Sequence, residues 1–303
     1  MAREVRNVGA SVRARLLDRA RAEKTDFQIL LTRYALERLL YRLSVSDQRE
    51  RFVLKGAMLF ATWRDDPFRP TRDLDLLGHG DAVPAAVAES VRAICSTAVP
   101  DDGVVFDVEH IEAAAIRDEA EYAGVRVRTS ATIAGARLPI QVDVGFGDAI
   151  TPDPVEIEYP ALLDAPAPVL RAYPPETVVA EKLEAIVSLG VANSRMKDFY
   201  DLWMIAQTFP FEGLVLANAI QQTFDRRRTS WPEQTPSGLG EAFASERDAQ
   251  WRAFLARDRL AAAPASLVQV TEDLRAFLLP VLERQQLASW SPGGPWTRTE
   301  AAS

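Results

Sequence analysis

The chain has 303 residues, 48% of them hydrophobic and 26% charged, which is enough for one large domain or two ordinary ones with a sizeable core. Its apolar runs all fall short of the ~20 residues needed to cross a bilayer, and the charged N-terminus lacks the apolar segment of a signal peptide. One cysteine and two histidines exclude an internal disulfide framework and a structural zinc site with four Cys or His ligands. We therefore expect a cytoplasmic protein with no membrane partner.

The formal net charge of −8 is spread unevenly along the sequence. Residues 1–51 contain 12 Lys and Arg against 7 Asp and Glu, a net charge of +5, so the rest of the chain carries −13. A general polyanion binder would be basic overall, but a basic N-terminal region beside an acidic body can hold nucleic acid locally. The alternative is that these cations form the solvated faces of helices.

In chain order, the first predicted elements are two helices within residues 10–45, where apolar residues recur at helical spacing and Thr25 or Asp26 is a candidate cap. A short apolar helix is predicted after Gly56. A strand follows in the sequence RDLDLLG, where alternation places both aspartates on one face. A helix over 82–98 and three successive strands rich in Val and Ile complete this part of the chain.

The segment from 151 to 175 contains seven prolines, so we expect a connection that lies over the surface. After it, helical spacing dominates to about residue 285. The last fifteen residues have little periodicity and are expected to be mobile. These patterns predict N-terminal helices with a β-sheet in a domain of residues 1–165, and a helical C-terminal domain of residues 166–303.

The main chemical signal is a glycine turn followed by two aspartates on a strand, Gly56 and then Asp73 and Asp75. Two carboxylates on one face of a strand lie ~7 Å apart and are able to share divalent cations that bind phosphate oxygens. Asp143 lies in another β-like stretch, and adjacent strands would bring it beside the pair. Three clustered carboxylates repel each other unless a metal binds, although Asp-x-Asp alone also occurs on exposed strands without a function.

A second group of charged residues lies on two predicted helices after the proline segment. Lys182 is on the first helix, and Asp198 and Asp201 share a face of the second, one turn apart. The ammonium of Lys182 is suited to a triphosphate, and Asp198 is placed to orient it through an ion pair. The alternative is a solvent-exposed lattice of salt bridges that also includes Arg195 and Lys197.

Five motifs resemble those of the abortive-infection nucleotidyltransferase toxins of the AbiEii/AbiGii type; they are KGAMLF, RPTRDLDL, VDVGFG, EKLEA and RMKDFYDL. The resemblance runs from about residue 10 to 210. It implies an α+β fold whose mixed β-sheet forms a DNA polymerase β-like nucleotidyltransferase core with helical additions. It also implies metal-dependent transfer of nucleotides from an NTP to the 3′ end of tRNA, which blocks translation, and a cognate antitoxin as partner.

The resemblance gives the motif residues expected roles. Asp73 and Asp75 would hold two Mg²⁺ or Mn²⁺ ions, and Asp143 would bind the ion that activates the acceptor hydroxyl and accept its proton. Lys182 and Asp198 would complete the catalytic set with Asp73 and Asp75. The expected nucleotide-binding residues are Lys55, Gly56, Ala57, Arg195 and Asp201.

Two positions depart from the family pattern, because Ala57 replaces a second Gly or Ser and Leu189 stands where Arg is frequent. Neither change removes a carboxylate, so we expect activity to survive. Contacts to RNA phosphates would come from the basic first 51 residues or from Arg226, Arg227 and Arg228, which a helix end also favours for structural reasons. The same site would suit a kinase-like or nucleotidyl-transferring enzyme acting on a protein or small molecule, or a nucleotide-binding regulator without catalysis.

Overall fold

The computed structural model describes residues 7–63, 69–116 and 124–298. The chain divides into two compact units, and each unit draws on two stretches of the sequence. The first contains Met1–Gly147 and Val155–Ala172, and the second contains Asp148–Pro154 and Tyr173–Ser303. Among the described residues, no helix combines the length and the apolar character that crossing a membrane requires.

In the described part of the first unit there are three α-helices. They are α1 (Val8–Glu23), α2 (Phe27–Ser44) and α3 (Pro84–Cys95). The side chain of Asp26 accepts a hydrogen bond from the N–H of Ile29 at 3.1 Å, so the predicted cap of α2 is confirmed. This bond satisfies one of the N–H groups that every helix start leaves without an internal partner.

The core of the first unit is a sheet of eight strands. In chain order the strands are β1 (Phe52–Lys55), β2 (Asp73–Gly78), β3 (Val105–Phe106), β4 (Glu112–Ile116), β5 (Gly124–Ile133), β6 (Ala136–Phe146), β7 (Val155–Glu158) and β8 (Val169–Ala172). Neighbouring strands follow the order β3, β5, β6, β2, β1, β8 and β7, and β4 also pairs with β5. Strand β2 runs parallel to β6 and β1 parallel to β8, whereas the other pairs are antiparallel. The expected mixed sheet of an α+β fold is confirmed.

Alternating burial along β2 and β6 gives the centre of the sheet an apolar and a polar face. Leu74 and Leu76 on β2, and Val142 and Val144 on β6, are at most 2% exposed. The residues between them are only partly buried, as a period of two requires. Helix α2 packs against β6, and α3 packs against β4 and β5.

The proline-rich segment differs from the prediction of a surface connection. It contains β7 and β8, and β8 pairs with β1 through Leu54 and Ala172. Strand β1 was also absent from the predicted elements, although Phe52, Val53 and Leu54 are at most 1% exposed. Each of these strands has four residues, which is too short for alternation to distinguish a strand from a loop.

The second unit is mainly helical, as predicted. Its helices are α4 (Pro175–Leu189), α5 (Met196–Thr208), α6 (Gly213–Arg227), α7 (Glu241–Asp258) and α8 (Leu267–Leu282). A small antiparallel sheet accompanies them, formed by β9 (Phe211–Glu212), β10 (Leu287–Trp290) and β11 (Trp296–Arg298).

The expectation of a mobile C-terminal tail is wrong for residues 289–298, because two tryptophans anchor this segment. Trp290 is 4% exposed and its indole N–H donates to the backbone oxygen of Ala206 at 2.8 Å. The indole of Trp296 donates to the oxygen of Phe277, also at 2.8 Å, and stacks on its ring. Aromatic burial of this kind has no sequence period, so it could not be predicted from the spacing of apolar residues.

Candidate active site

Three predicted carboxylates lie side by side on the polar face of the sheet. Asp73 and Asp75 belong to β2, and Asp143 belongs to β6, the parallel neighbour of β2. The register places Asp143 directly opposite Asp75 and Gln141 opposite Asp73. Directly opposed residues point to the same face of a sheet, so the expectation that adjacent strands bring Asp143 beside the pair is confirmed.

Strand β1 brings the glycine turn to the same place, because Lys55 pairs with Asp75 across β1 and β2. Gly56 follows with a φ of 70°, a conformation that L side chains rarely adopt. A Cβ atom at this position would lie 2.0 Å from Oδ2 of Asp75. Gly56 therefore allows the backbone to approach the carboxylate closely. Ala57, 4% exposed, then begins a 3-10 helix, Ala57–Thr62.

Arg126 was not among the predicted site residues, yet it binds Asp143 through two hydrogen bonds. Its Nε donates to Oδ1 at 2.8 Å and its Nη2 donates to Oδ2 at 2.6 Å. These bonds raise the pKa of the Arg126 guanidinium, and the negative charges of Asp73 and Asp75 act in the same direction. The available sequence signal was the alternation Val-Arg-Val-Arg in β5, which puts Arg126 and Arg128 on one face.

The donor atoms at this site suit a divalent cation only in part. Asp73 and Asp75 supply hard carboxylate oxygens, which Mg²⁺ and Mn²⁺ prefer. Both oxygens of Asp143 accept hydrogen bonds from Arg126, whose positive charge opposes a cation there. Within the ranges that the structure describes, no group of three or more His, Cys, Asp or Glu side chains has an arrangement that could hold a metal ion. The fit therefore favours a cation held by Asp73 and Asp75, and the role of Asp143 as a ligand stays a prediction.

The second predicted constellation lies in the second unit and is a buried ion cluster. The Nζ of Lys182 lies 2.7 Å from Oδ1 of Asp198 and 2.8 Å from Oδ2 of Asp201. The three side chains are 15%, 8% and 0% exposed, respectively. The expected ion pair between Lys182 and Asp198 is present, and the alternative of a solvent-exposed lattice is wrong for these three residues.

Arg195 and Lys197 differ from the buried cluster because both are exposed. Arg195 precedes α5, and its backbone N–H donates to Oδ1 of Asn193 at 2.8 Å. The side chain of Arg195 faces solvent. Its expected contact with a nucleotide stays a prediction.

The three arginines at the end of α6 were predicted to contact RNA, but only two of them are exposed to solvent. Arg226 and Arg228 are exposed, but the Arg227 side chain is only 17% exposed. Burial alone would lower the pKa of Arg227, but the charges of Glu181 and Asp148 raise it above its ordinary value. The cluster around Arg227 consists of Asp148 at 3.0 Å, Glu181 at 3.4 Å and Glu184 at 2.8 Å.

Two arginines of the basic N-terminal region form buried ion pairs inside the first unit. Arg38 and Glu37 form an ion pair at 2.6 Å in which both side chains are 0% exposed. The guanidinium of Arg42 donates to both oxygens of Asp102, at 2.6 and 3.1 Å. These two arginines are therefore held by carboxylates inside the protein and are not available to phosphate.

Cys95 is 7% exposed, and burial raises the pKa of its thiol to about 12. A thiol with such a pKa is not ionised near neutral pH, so it is a poor nucleophile. Cys95 therefore packs as an apolar residue on the buried face of α3.

Comparison with known proteins places this geometry in a family. JHP933 from Helicobacter pylori, a solved structure, is 15% identical, with 86% of this chain and 94% of that chain covered and a TM-score of 0.49. A candidate nucleotidyltransferase from H. pylori is 14% identical, with coverages of 86% and 96% and a TM-score of 0.48. No curated protein matches the sequence at a significant level. The sequence model described as "Nucleotidyl transferase AbiEii toxin, Type IV TA system" matches residues 38–278, which include all the motifs discussed above. The chain therefore belongs to the family of AbiEii nucleotidyl transferase toxins of type IV toxin–antitoxin systems.

Proposed function

We propose that this toxin transfers nucleotides from an NTP to the 3′ end of tRNA in the cytoplasm, which would block translation, and that a cognate antitoxin opposes it. The observation that carries the proposal is the placement of Asp73, Asp75 and Asp143 on one sheet face, beside Lys55 and the Gly56 turn. Membership of a nucleotidyl transferase toxin family supports the reaction class and the partner.

Asp73 and Asp75 would hold Mg²⁺ or Mn²⁺ on the polar face of β2. A bound divalent ion neutralises phosphate oxygens and orients them for in-line displacement. The oxygen of the acceptor hydroxyl bonds to the α-phosphorus of the NTP, the bond from that phosphorus to the β-phosphate oxygen breaks, and pyrophosphate leaves. Asp143 is the expected acceptor of the hydroxyl proton. Lys55 is the nearest cation on β1 by register and would bind phosphate oxygens.

The test incubates the full-length protein with Mg²⁺, total tRNA and each of the four labelled NTPs in turn. Asp75→Asn keeps the size of the side chain but removes its charge, so we expect label at tRNA 3′ ends to fall by about 100-fold or more. Asp81→Asn is the matched control, because Asp81 is exposed and lies just after β2. Equal transfer by the wild type and Asp75→Asn would reject the proposed site.

A second candidate keeps the site but changes the acceptor to a protein or a small molecule. It is favoured by the buried ion pairs of Arg38, Arg42 and Arg227, which remove cations that RNA phosphates would otherwise contact. Label on protein or on a small molecule, with none on RNA, would support this candidate. NTP binding without metal-dependent turnover would instead support a non-catalytic regulator.

A further inference from the structure

Four charged residues form a row across the centre of the first unit's sheet. Lys55 on β1 is opposite Asp75 on β2, Asp75 is opposite Asp143 on β6, and Asp143 is opposite Arg126 on β5. The row therefore reads cation, carboxylate, carboxylate, cation, with the two carboxylates adjacent in its middle. Because opposed residues share a face, all four belong to the face that also carries Asp73.

The contact at one end of the row is the strongest type that an arginine makes. The guanidinium of Arg126 donates through two nitrogens to the two oxygens of Asp143, at 2.8 and 2.6 Å. Such bidentate pairs are roughly twice as strong as neutral hydrogen bonds and fix the plane of the carboxylate. Gln141 adds a longer contact, from Nε2 to Oδ2 of Asp143 at 3.4 Å. A cation ligated by Asp143 would share the carboxylate with the guanidinium of Arg126, whose positive charge opposes it.

The formal charges of the face bear on how many divalent ions it holds. Lys55, Arg126 and Arg128 offset the three carboxylates, so these six groups are neutral as a set. One divalent ion at Asp73 and Asp75 makes the set positive and leaves the site attractive to a triphosphate. A second ion, bound at Asp143, would lie beside the guanidinium of Arg126, and the two positive charges would repel each other.

We propose that Arg126 takes the place of a second divalent cation: it holds Asp143 through its bidentate contact, so that the site binds a single ion through Asp73 and Asp75. Arg126 is then a positioning residue, which leaves the remaining lone pairs of Asp143 for the acceptor hydroxyl. The inference rests on the proposed function, since it specifies how the metal site of that function is built.

The test counts the Mn²⁺ ions that bind to the full-length protein, by measuring free Mn²⁺ with electron paramagnetic resonance, in the absence of NTP. We expect one ion for the wild type and two for Arg126→Gln, because the variant releases Asp143. Arg128→Gln is the matched control and should bind one ion. Arg128 lies two residues along the same strand and face, and its Nε contacts Gln141, at 3.4 Å, and not a carboxylate of the row.

A second variant keeps the test decisive if Arg126→Gln does not fold. Asp143→Asn should still bind one Mn²⁺, and Asp75→Asn should lose it. Two ions for the wild type together with one for Asp143→Asn would overturn the role of Arg126 and leave the proposed function standing. No Mn²⁺ bound to the wild type would overturn the metal site itself, and with it the proposed function. Thermal unfolding of each variant checks the fold, and the Arg126 side chain is 37% exposed, so its replacement leaves no large cavity.

Discussion

Gly56 and Asp75 are in such close contact that no side chain fits between them, since a Cβ atom on Gly56 would lie 2.0 Å from Oδ2 of Asp75. We predict that Gly56→Ala moves this carboxylate and lowers transfer by about 100-fold, the effect of a misplacement of about 1 Å. The left-handed φ of 70° adds about 1–2 kcal/mol of strain. Steady-state rates with labelled NTP measure the first effect.

Gly80→Ala separates strain from displacement of the carboxylate. Gly80 has a φ of 98°, but among the described residues other than its chain neighbours no atom lies within 4 Å of an added Cβ. The control should lose stability, as measured by urea unfolding, and keep its activity. Equal rates for Gly56→Ala and the wild type would show that the contact with Asp75 has no role in transfer.

Lys182 neutralises two carboxylates that are almost fully buried, Asp198 and Asp201. Lys182→Met removes the countercharge that both carboxylates share and should lower the free energy of unfolding by about 3–5 kcal/mol. The loss should be smaller when Asp201→Asn is already present, with a coupling energy of about 1–3 kcal/mol in a double-mutant cycle. Lys197→Met, at an exposed position on α5, should change stability by less than about 0.5 kcal/mol. Additive effects in the cycle would contradict the ion cluster.

Arg227 is predicted to stabilise the second unit and not to bind RNA. Arg227→Met should lower the free energy of unfolding by about 3–5 kcal/mol, because it leaves the carboxylates of Asp148, Glu181 and Glu184 buried without their cation. The exposed neighbours provide the controls: Arg226→Gln and Arg228→Gln should stay within about 0.5 kcal/mol of the wild type in urea unfolding. Unchanged stability of Arg227→Met with weaker tRNA binding would reverse this assignment.

Glu176, in the first turn of α4, should make stability depend on pH. Burial raises the pKa of its carboxyl above 4.5, and the charge of Glu212 acts in the same direction. The folded chain therefore binds this proton more tightly than the unfolded chain, so stability falls as pH rises from 4.5 through the folded pKa. Glu176→Gln removes that loss and should be more stable than the wild type above this window.

Urea unfolding between pH 4 and 8 measures the difference between Glu176→Gln and the wild type. Glu241→Gln is the control, because Glu241 occupies the exposed first turn of α7. A carboxylate there favours the helix, so this variant should gain no stability. A gain by Glu176→Gln that is equal at pH 4 and pH 8 would rule out ionisation as its cause.

The carboxylate positions could be predicted because they depend on strong local patterns. Asp73 and Asp75 alternate with buried leucines, and Asp143 alternates with buried valines, so each face follows once the strands are identified. The shared face of Asp198 and Asp201 follows in the same way from a helical spacing of three residues, but that spacing does not distinguish a buried cluster with Lys182 from a solvent-exposed one.

The contact between Arg126 and Asp143 depends instead on the register of β5 against β6, which the hairpin turn at Ala134 and Gly135 sets. Both turn residues have positive φ, 45° and 79°. The usual sequence signal for such a turn is Asn-Gly or Asp-Gly, whereas this turn has Ala-Gly. A shift of one residue would turn Arg126 to the opposite face, so the contact could not be predicted from alternation alone.

Each unit is built from two separate stretches of the sequence, and this affects the order in which the units are completed during synthesis. Strand β8 ends at residue 172, so β1 lacks its parallel neighbour until that residue has left the ribosome. A nascent chain that stops at residue 165 would display the backbone of β1 as an open edge, directly before Gly56, where another chain could pair with it. Asp148 can form its ion pair with Arg227 only after α6 has been synthesised. The toxin's carboxylate-bearing sheet is therefore completed only when more than half of the polypeptide exists, and the second unit's buried charges are balanced later still.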